Sequence, residues 1–266
     1  MTAFRGNAAP LSSSGFRRTM VALATDPASL WALITVETSG FGYLPDRRPK
    51  ILFERHVFHR RTGGKYGSTH ADISAPAPGG YLGDADEYTR LERALALDRQ
   101  AALDSTSWGL GQVMGFHAAS LGYPGTEAMV TGFLEDEDAQ LEAVQRFIGA
   151  HAALRQALRR QDWTRVAFFY NGASYAQHGY HRKLEHYHDL YAIKGTPDIA
   201  VRTAQAWLTY LGYAPRGVDG ILGPATGAAV VAFQKAQGLP VTADLDDASL
   251  ERLRLAAAAA AGRSGA

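Results

Sequence analysis

The sequence predicts a mainly α chain of the α+β type: a large helical domain carrying a small β-hairpin, then a small three-helix bundle. Three observations lead there. Residues 84–193 hold successive stretches whose apolar residues recur at helical spacing. The run Lys50-Ile-Leu-Phe-Glu-Arg-His-Val-Phe58, entered through Pro49, is β-prone. After Gly195-Thr196-Pro197 a turn-plus-helix pattern occurs twice, Val218 to Thr226 aligning with Val241 to Ser249 at a displacement of 241 − 218 = 23 residues.

Each element has its local reason. Residues 1–14, with Gly, Asn, Pro and three serines, read as a flexible tail, and residues 15–23 as a short helix. Asp26-Pro27 supplies an N-cap and first position for a helix carrying Leu30, Trp31, Leu33, Ile34 and Val36, which Ser39-Gly40 should stop. A strand or hairpin is expected at 50–58, then an irregular loop at 62–83 punctuated by glycine and proline. Helices are expected at 84–98, 116–121, 126–134, 135–151, 152–160, 164–170 and 180–193, with a tight turn at Ser105 to Met114. The domain over 15–194 then gives way to a unit at 197–256, where Thr196 caps and Ile199, Val201, Ala204, Trp207, Leu208 and Leu211 form a stripe. About 60 residues is near the lower limit for an autonomous domain. Residues 257–266, rich in alanine, read as a fraying helix extension.

Composition narrows the function. The chain has 266 residues, 46% of them apolar, so it can bury a core. Its net charge of +1 is too balanced for a general grip on nucleic acid. It has no cysteine, which excludes disulfides, thiolate metal sites and a cysteine nucleophile. No long apolar core follows Arg5, so no signal peptide is expected. No apolar run is long enough for a membrane span, and the weakly charged alanine-rich end gives no stable membrane association.

Two glutamates stand out. Glu37 falls in the last turn of an apolar helix, where the negative dipole end and apolar neighbours oppose ionisation. A carboxyl kept protonated near neutrality suits a general acid. Glu54 sits in the β-prone run between Phe53 and Arg55-His56, whose charges favour its ionised form. Two carboxylates pushed apart in acidity suggest glycoside cleavage. A glutamate at a helix end or on a strand is otherwise an ordinary solvated side chain.

Three further signals follow in order: Glu37-Thr-Ser-Gly40, Trp108-Gly-Leu-Gly-Gln-Val-Met114 and Phe169-Tyr-Asn-Gly172. They resemble the lysozyme-like superfamily of goose-type lysozymes and lytic transglycosylases. With Pro49–His56, Ser107–Gly115 and Tyr180–Leu184 the chain is still more similar to the N-acetylmuramidase domain of phage endolysins, over residues 15–193. The resemblance implies that Glu37 protonates the oxygen leaving C1 of N-acetylmuramic acid. Glu54 would activate water, stabilise the oxocarbenium-like transition state or form the covalent intermediate. Ser107, Trp108, Gln112 and Met114 would contact the N-acetyl sugar, and Tyr170 and Asn171 would close the opposite wall. Trp108 reads equally as core, Tyr170 as packing and Asn171-Gly172 as a helix C-cap.

The C-terminal unit resembles the three-helix peptidoglycan-binding domain through Val201–Gln205, Leu211-Gly-Tyr213, Asp219, Gly220, Gly223, Thr226 and Phe233-Gln234. Thr242-Ala243 stand where Asp-Gly is usual in the second repeat, which puts that turn's geometry in doubt. His178, His181, His186 and His188 lack a metalloprotease spacing, so neither a metal nor another cofactor is expected. The reading is a monomeric peptidoglycan hydrolase of endolysin type that cleaves the β-1,4 bond between N-acetylmuramic acid and N-acetylglucosamine in glycan strands. It would be made in the host cytoplasm and reach the wall once the membrane is opened. The alternatives are a lytic transglycosylase, which leaves 1,6-anhydromuramic ends, and a non-catalytic wall-binding protein.

Overall fold

In the computed structural model residues 4–263 are described. The elements are α1 (Ser13–Leu23), α2 (Pro27–Thr38), β1 (Ile51–Phe53), α3 (Arg55–Arg61), α4 (Glu87–Leu97), α5 (Arg99–Asp104), β2 (Thr106–Trp108), β3 (Val113–Met114), α6 (Thr126–Glu135), α7 (Glu137–Ala150), α8 (Ala152–Arg159), α9 (Trp163–Asn171), α10 (Tyr180–Lys194), α11 (Ile199–Tyr210), α12 (Pro224–Gln237) and α13 (Asp247–Arg263). Helices dominate, as the fold class requires. One continuous core joins α2, the sheet and α4 to α10, and α10 packs along α2.

Helix α2 starts where Asp26 accepts from Ser29 N at 2.9 Å and from the Ser29 hydroxyl at 2.5 Å. It is apolar nearly all round, with Leu30, Trp31, Leu33 and Ile34 buried, because other elements cover every side of it. It ends at Ser39, left-handed at φ 55°, whose N–H returns to Thr35 O.

The β-prone run divides. Only Ile51–Phe53 is strand, Glu54 is the N-cap residue of α3, and residues 55–58 are helical. Val57 and Phe58 are buried there, with the Phe58 ring 5.7 Å from Phe53, so helical spacing buries what strand spacing would expose. The strand's partner lies far along the chain, Leu52 pairing with Ser107, and the sheet is three-stranded and antiparallel in the order β1-β2-β3. The hairpin is β2–β3, turned through Gly109 (φ 67°) and Gln112 (φ 49°). The helix expected at 116–121 is a pair of 3-10 turns, Gly115–His117 and Ala119–Leu121.

The described parts of both terminal segments are more firmly held than their composition suggested. Ala8 and Leu11 are fully buried, and Ala8 N and Ala9 N donate to Leu134 O and Glu135 O at 2.9 and 2.8 Å. The expected tail is therefore packed from Ala8 onward; residues 1–3 of it lie outside the described residues. The alanine-rich segment continues α13 to Arg263, with Ala257 buried and its carbonyl accepting from Arg47 Nη2 at 2.8 Å. Small side chains let these backbones approach. Residues 264–266 are outside the described span.

The three-helix unit α11–α13 has its own small core of Ala204, Leu208, Ala229, Val230, Phe233 and Leu253. A further cluster, Ala8, Phe41, Tyr43, Ala206 and Val218, joins it to the larger domain.

Candidate active site

Glu37 lies in the last turn of α2 and half-buried on a pocket of about 150 Å³ lined by Thr38, Leu44, Lys50, Leu52, Asp84 and Gln112. Burial raises its pKa to about 7, opposed by the Tyr180 hydroxyl, which donates to Glu37 Oε1. Burial also pushes the Tyr180 and Tyr170 hydroxyls well above the usual tyrosine range, and the neighbouring Glu37 charge adds to this in both. Lys50 donates to Thr38 O at 2.8 Å, and burial lowers its pKa against the attraction of Asp84.

Glu54 is not on the lining of that pocket. It follows β1, whose Ile51 and Leu52 both line that pocket, and burial alternates along the run, with Ile51 and Phe53 buried and Leu52 and Glu54 half-buried. Its Oε2 accepts from the Tyr81 hydroxyl at 2.9 Å and lies 3.1 Å from His56 Nδ1. Asp84 lines the Glu37 pocket itself and is exposed. Neither residue carries a motif or periodicity that singles it out: Tyr81 falls in the 62–83 loop, and Asp84 opens a 3-10 turn, Asp84–Asp86.

What shapes that loop is a buried pair on α4. Glu87 and Arg90, an ion pair at 2.9 Å, are both buried. Glu87 accepts from Phe53 N, Leu82 N and Gly83 N, while Arg90 donates to Phe53 O, Asp72 O and Gly79 O. The pair thus fixes the end of β1 and the 79–83 segment together. Its only sequence signal is the i, i+3 spacing of opposite charges beside Tyr88 and Leu91.

The β2–β3 turn forms the floor. Gln112 has both ends of its amide in use: Ser107 Oγ donates to its Oε1 at 2.8 Å, and its Nε2 donates to Gly109 O at 2.9 Å and Lys50 O at 3.3 Å. Gln112 thus braces the sheet while lining the Glu37 pocket, and Ser107 is its buried partner. Trp108 is fully buried with its indole N–H on Leu103 O at 3.2 Å, so it is core and not a platform. Met114 borders a second depression, of about 60 Å³, with Gly111, Gln112, His117, Phe147 and Tyr170. Tyr170 donates to Gly111 O at 2.8 Å and stands edge-on to Phe147 at 5.4 Å. Asn171 is exposed at the end of α9 and lines neither depression. A larger cavity, about 730 Å³, lies between residues 7–13 and α11 with α13; its carboxylates Asp247 and Glu251 are exposed, so the perturbed acid and not volume locates the chemistry.

The wall-binding motif residues hold turns. Gln205 Nε2 donates to Asp219 Oδ1, Ile221 O and Thr226 Oγ1 at 2.8, 3.1 and 3.0 Å, and its Oε1 accepts from Asp219 N and Gly220 N. Gln234 repeats this in the second copy, donating to Thr242 Oγ1, Asp244 O and Ser249 Oγ and accepting from Thr242 N and Ala243 N. Thr242 Oγ1 takes the place of the Asp219 carboxylate, and Ala243 adopts φ 63° where Gly220 adopts φ 74°. The departure from Asp-Gly leaves the turn intact at the cost of a strained alanine. Thr226 and Gln234 are buried, and Gly223 caps α12. These residues build the turns of the unit: Gly220, Thr226 and Gln234 are buried, while Asp219 is exposed. Among the described residues no group of three or more His, Asp or Glu is placed to hold a metal.

An acid kept protonated near neutrality, opening on a trough floored by a small antiparallel sheet within a helical domain, is the lysozyme-like arrangement for glycoside cleavage. The chain belongs to the N-acetylmuramidase family, whose model matches residues 26–192, and a peptidoglycan binding domain model matches residues 198–253. It is thus a peptidoglycan hydrolase with a peptidoglycan-binding unit. Among solved structures it is similar to the crystal structure of Burkholderia AP3 phage endolysin, at 40% identity and TM-score 0.63, covering 68% of this chain and 70% of that one. No curated protein matches it.

Proposed function

We propose that the enzyme hydrolyses the β-1,4 bond between N-acetylmuramic acid and N-acetylglucosamine, with Glu37 as general acid and Glu54 as the second carboxylate. The observation that carries this is the Glu37 carboxyl, held protonated up to about pH 7 by burial and turned toward the pocket on the small sheet. Glu37 gives its proton to the leaving glycosidic oxygen. Glu54, oriented by Tyr81 and His56 on the same strand face as Leu52, acts on the opposite side of the sugar ring. The depression beside Met114, Phe147 and Tyr170 takes the neighbouring sugar, its aromatic faces stacking on pyranose C–H groups.

The competing chemistry is a lytic transglycosylase, which uses one carboxyl and the muramoyl 6-hydroxyl. Mass spectrometry of digested sacculi separates the two: reducing muramic ends support hydrolysis, and 1,6-anhydro ends reject it. Glu37→Gln should bind sacculi as the native enzyme does and release no fragments; lysis by that variant would place the acid elsewhere.

The likeness to a phage endolysin supports the same role for this chain, acting as a monomer on glycan strands from the host cytoplasm once the membrane has been opened. Among the described residues no single helix is long and apolar enough to cross a membrane.

A further inference from the structure

The three-helix unit is not hung on the larger domain by a free linker. Arg202, on α11, is fully buried and reaches across into the larger domain. Its Nε and Nη2 donate to Gly40 O at 2.8 and 2.6 Å, and its Nη1 and Nη2 donate to the Glu137 carboxylate at 2.6 and 2.7 Å. Glu137 is equally buried and accepts from Gly42 N and Leu11 N, each at 2.8 Å. Every lone pair the site uses is committed, and the guanidinium fork matches the carboxylate as only arginine can.

The target of this clamp is the turn that follows Glu37. Gly40 sits at φ 88°, and a Cβ there would lie 2.9 Å from Val218 O of the three-helix unit. At Gly42 a Cβ would meet Gln140 Oε1 at 2.1 Å. The guanidinium also lies 5.8 Å from the Trp31 ring of α2 and 5.5 Å from Phe41. The C-terminal end of the acid-bearing helix is thus held from the larger domain by Lys50 on Thr38 O, and from the wall-binding unit by Arg202 on Gly40 O.

We propose that Arg202 is a positioning residue for hydrolysis: the peptidoglycan-binding unit completes the catalytic domain by fixing the turn after Glu37, and is needed for turnover even on glycans too short to be retained by it. This rests on Glu37 being the acid. A simple tether raises local concentration and leaves kcat on a soluble fragment untouched. A brace alters kcat on that fragment.

The test uses the full chain and soluble, uncrosslinked glycan fragments. Arg202→Lys keeps the charge beside Glu137 but loses the fork that reaches Gly40. Arg202→Met together with Glu137→Gln removes both buried charges, so it folds if the single Arg202→Met does not. For each folded variant, kcat should fall at least tenfold with KM within about twofold, and Arg202→Lys should recover part of the loss. The upper limb of the pH–rate profile should move from its native position as the Glu37 surroundings change. Sedimentation with intact sacculi should be unchanged. Native kcat and pH profile in these variants, with only a lower Tm, would reduce Arg202 to a purely structural residue and overturn the inference. Turnover in Glu37→Gln would instead remove the premise, and the two failures are told apart by which variant stays active.

Discussion

Glu37 and Glu54 belong to one stretch of chain and meet opposite surroundings. Glu37 ends an apolar helix, and among the described residues the Tyr180 hydroxyl alone donates to its carboxyl. Glu54 stands at the junction of a strand and a helix and is met by both Tyr81 and His56. The first setting withdraws a carboxyl from water; the second ties a carboxyl to a hydroxyl and an imidazole. An acid needs only the removal of water and one orienting contact, whereas Glu54 takes its hydrogen-bond donor, Tyr81, from 27 residues along the chain.

The sharpest way to break the comparison is to neutralise each carboxyl in turn. Glu37→Gln should lower kcat on sacculi about 10³-fold or more, the range expected when a general acid is lost. Glu54→Gln should lower it about 10²-fold, and Asp84→Asn less than fivefold, measured by fragment release. The reverse order for the last two would move the second role to Asp84, which is the carboxylate nearest the Glu37 pocket by lining.

That difference also explains how much was legible beforehand. The Glu37 setting is local: Asp26-Pro27, the apolar run and Ser39-Gly40 are neighbours in sequence, so helix, terminus and raised acidity follow from composition and spacing. The Gln205 and Gln234 hubs were half visible, because the 23-residue repeat exposes the turns but not the glutamines that tie them. The Glu54 surroundings were visible only in part: His56 is its near neighbour in sequence, but Tyr81 is not. Tyr81 comes from an irregular loop shaped by Glu87 and Arg90, and no periodicity encodes that. Trp108 and Gln112 teach a related lesson: a motif marks which residues a site needs, without separating those that touch substrate from those that hold the floor. Nor does either sequence neighbourhood announce that Glu137 and Arg202 meet.

A smaller effect sharpens the role of Tyr180. Because Glu37 acts protonated and its pKa is about 7, kcat should fall as pH rises through about 7. The Tyr180 hydroxyl lowers that pKa by bonding the ionised form. Tyr180→Phe should therefore shift the alkaline limb upward, with kcat at its plateau reduced several-fold through looser orientation. A downward shift would mean that Tyr180 stabilises the protonated carboxyl instead.

The last effect concerns stability and has the opposite sign to activity. Glu37 has its pKa raised on folding from 4.5 to about 7, so between those values the folded state binds more protons than the unfolded chain. Stability is then undiminished below about pH 4.5 and falls as pH rises through about 7, by at most about 3 kcal/mol at 1.36 kcal/mol per pKa unit. Glu37→Gln keeps an acceptor for the Tyr180 hydroxyl and removes the ionisation. The inactive variant should therefore be the more stable protein above pH 7 and gain nothing at pH 4, as read from urea midpoints at the two pH values.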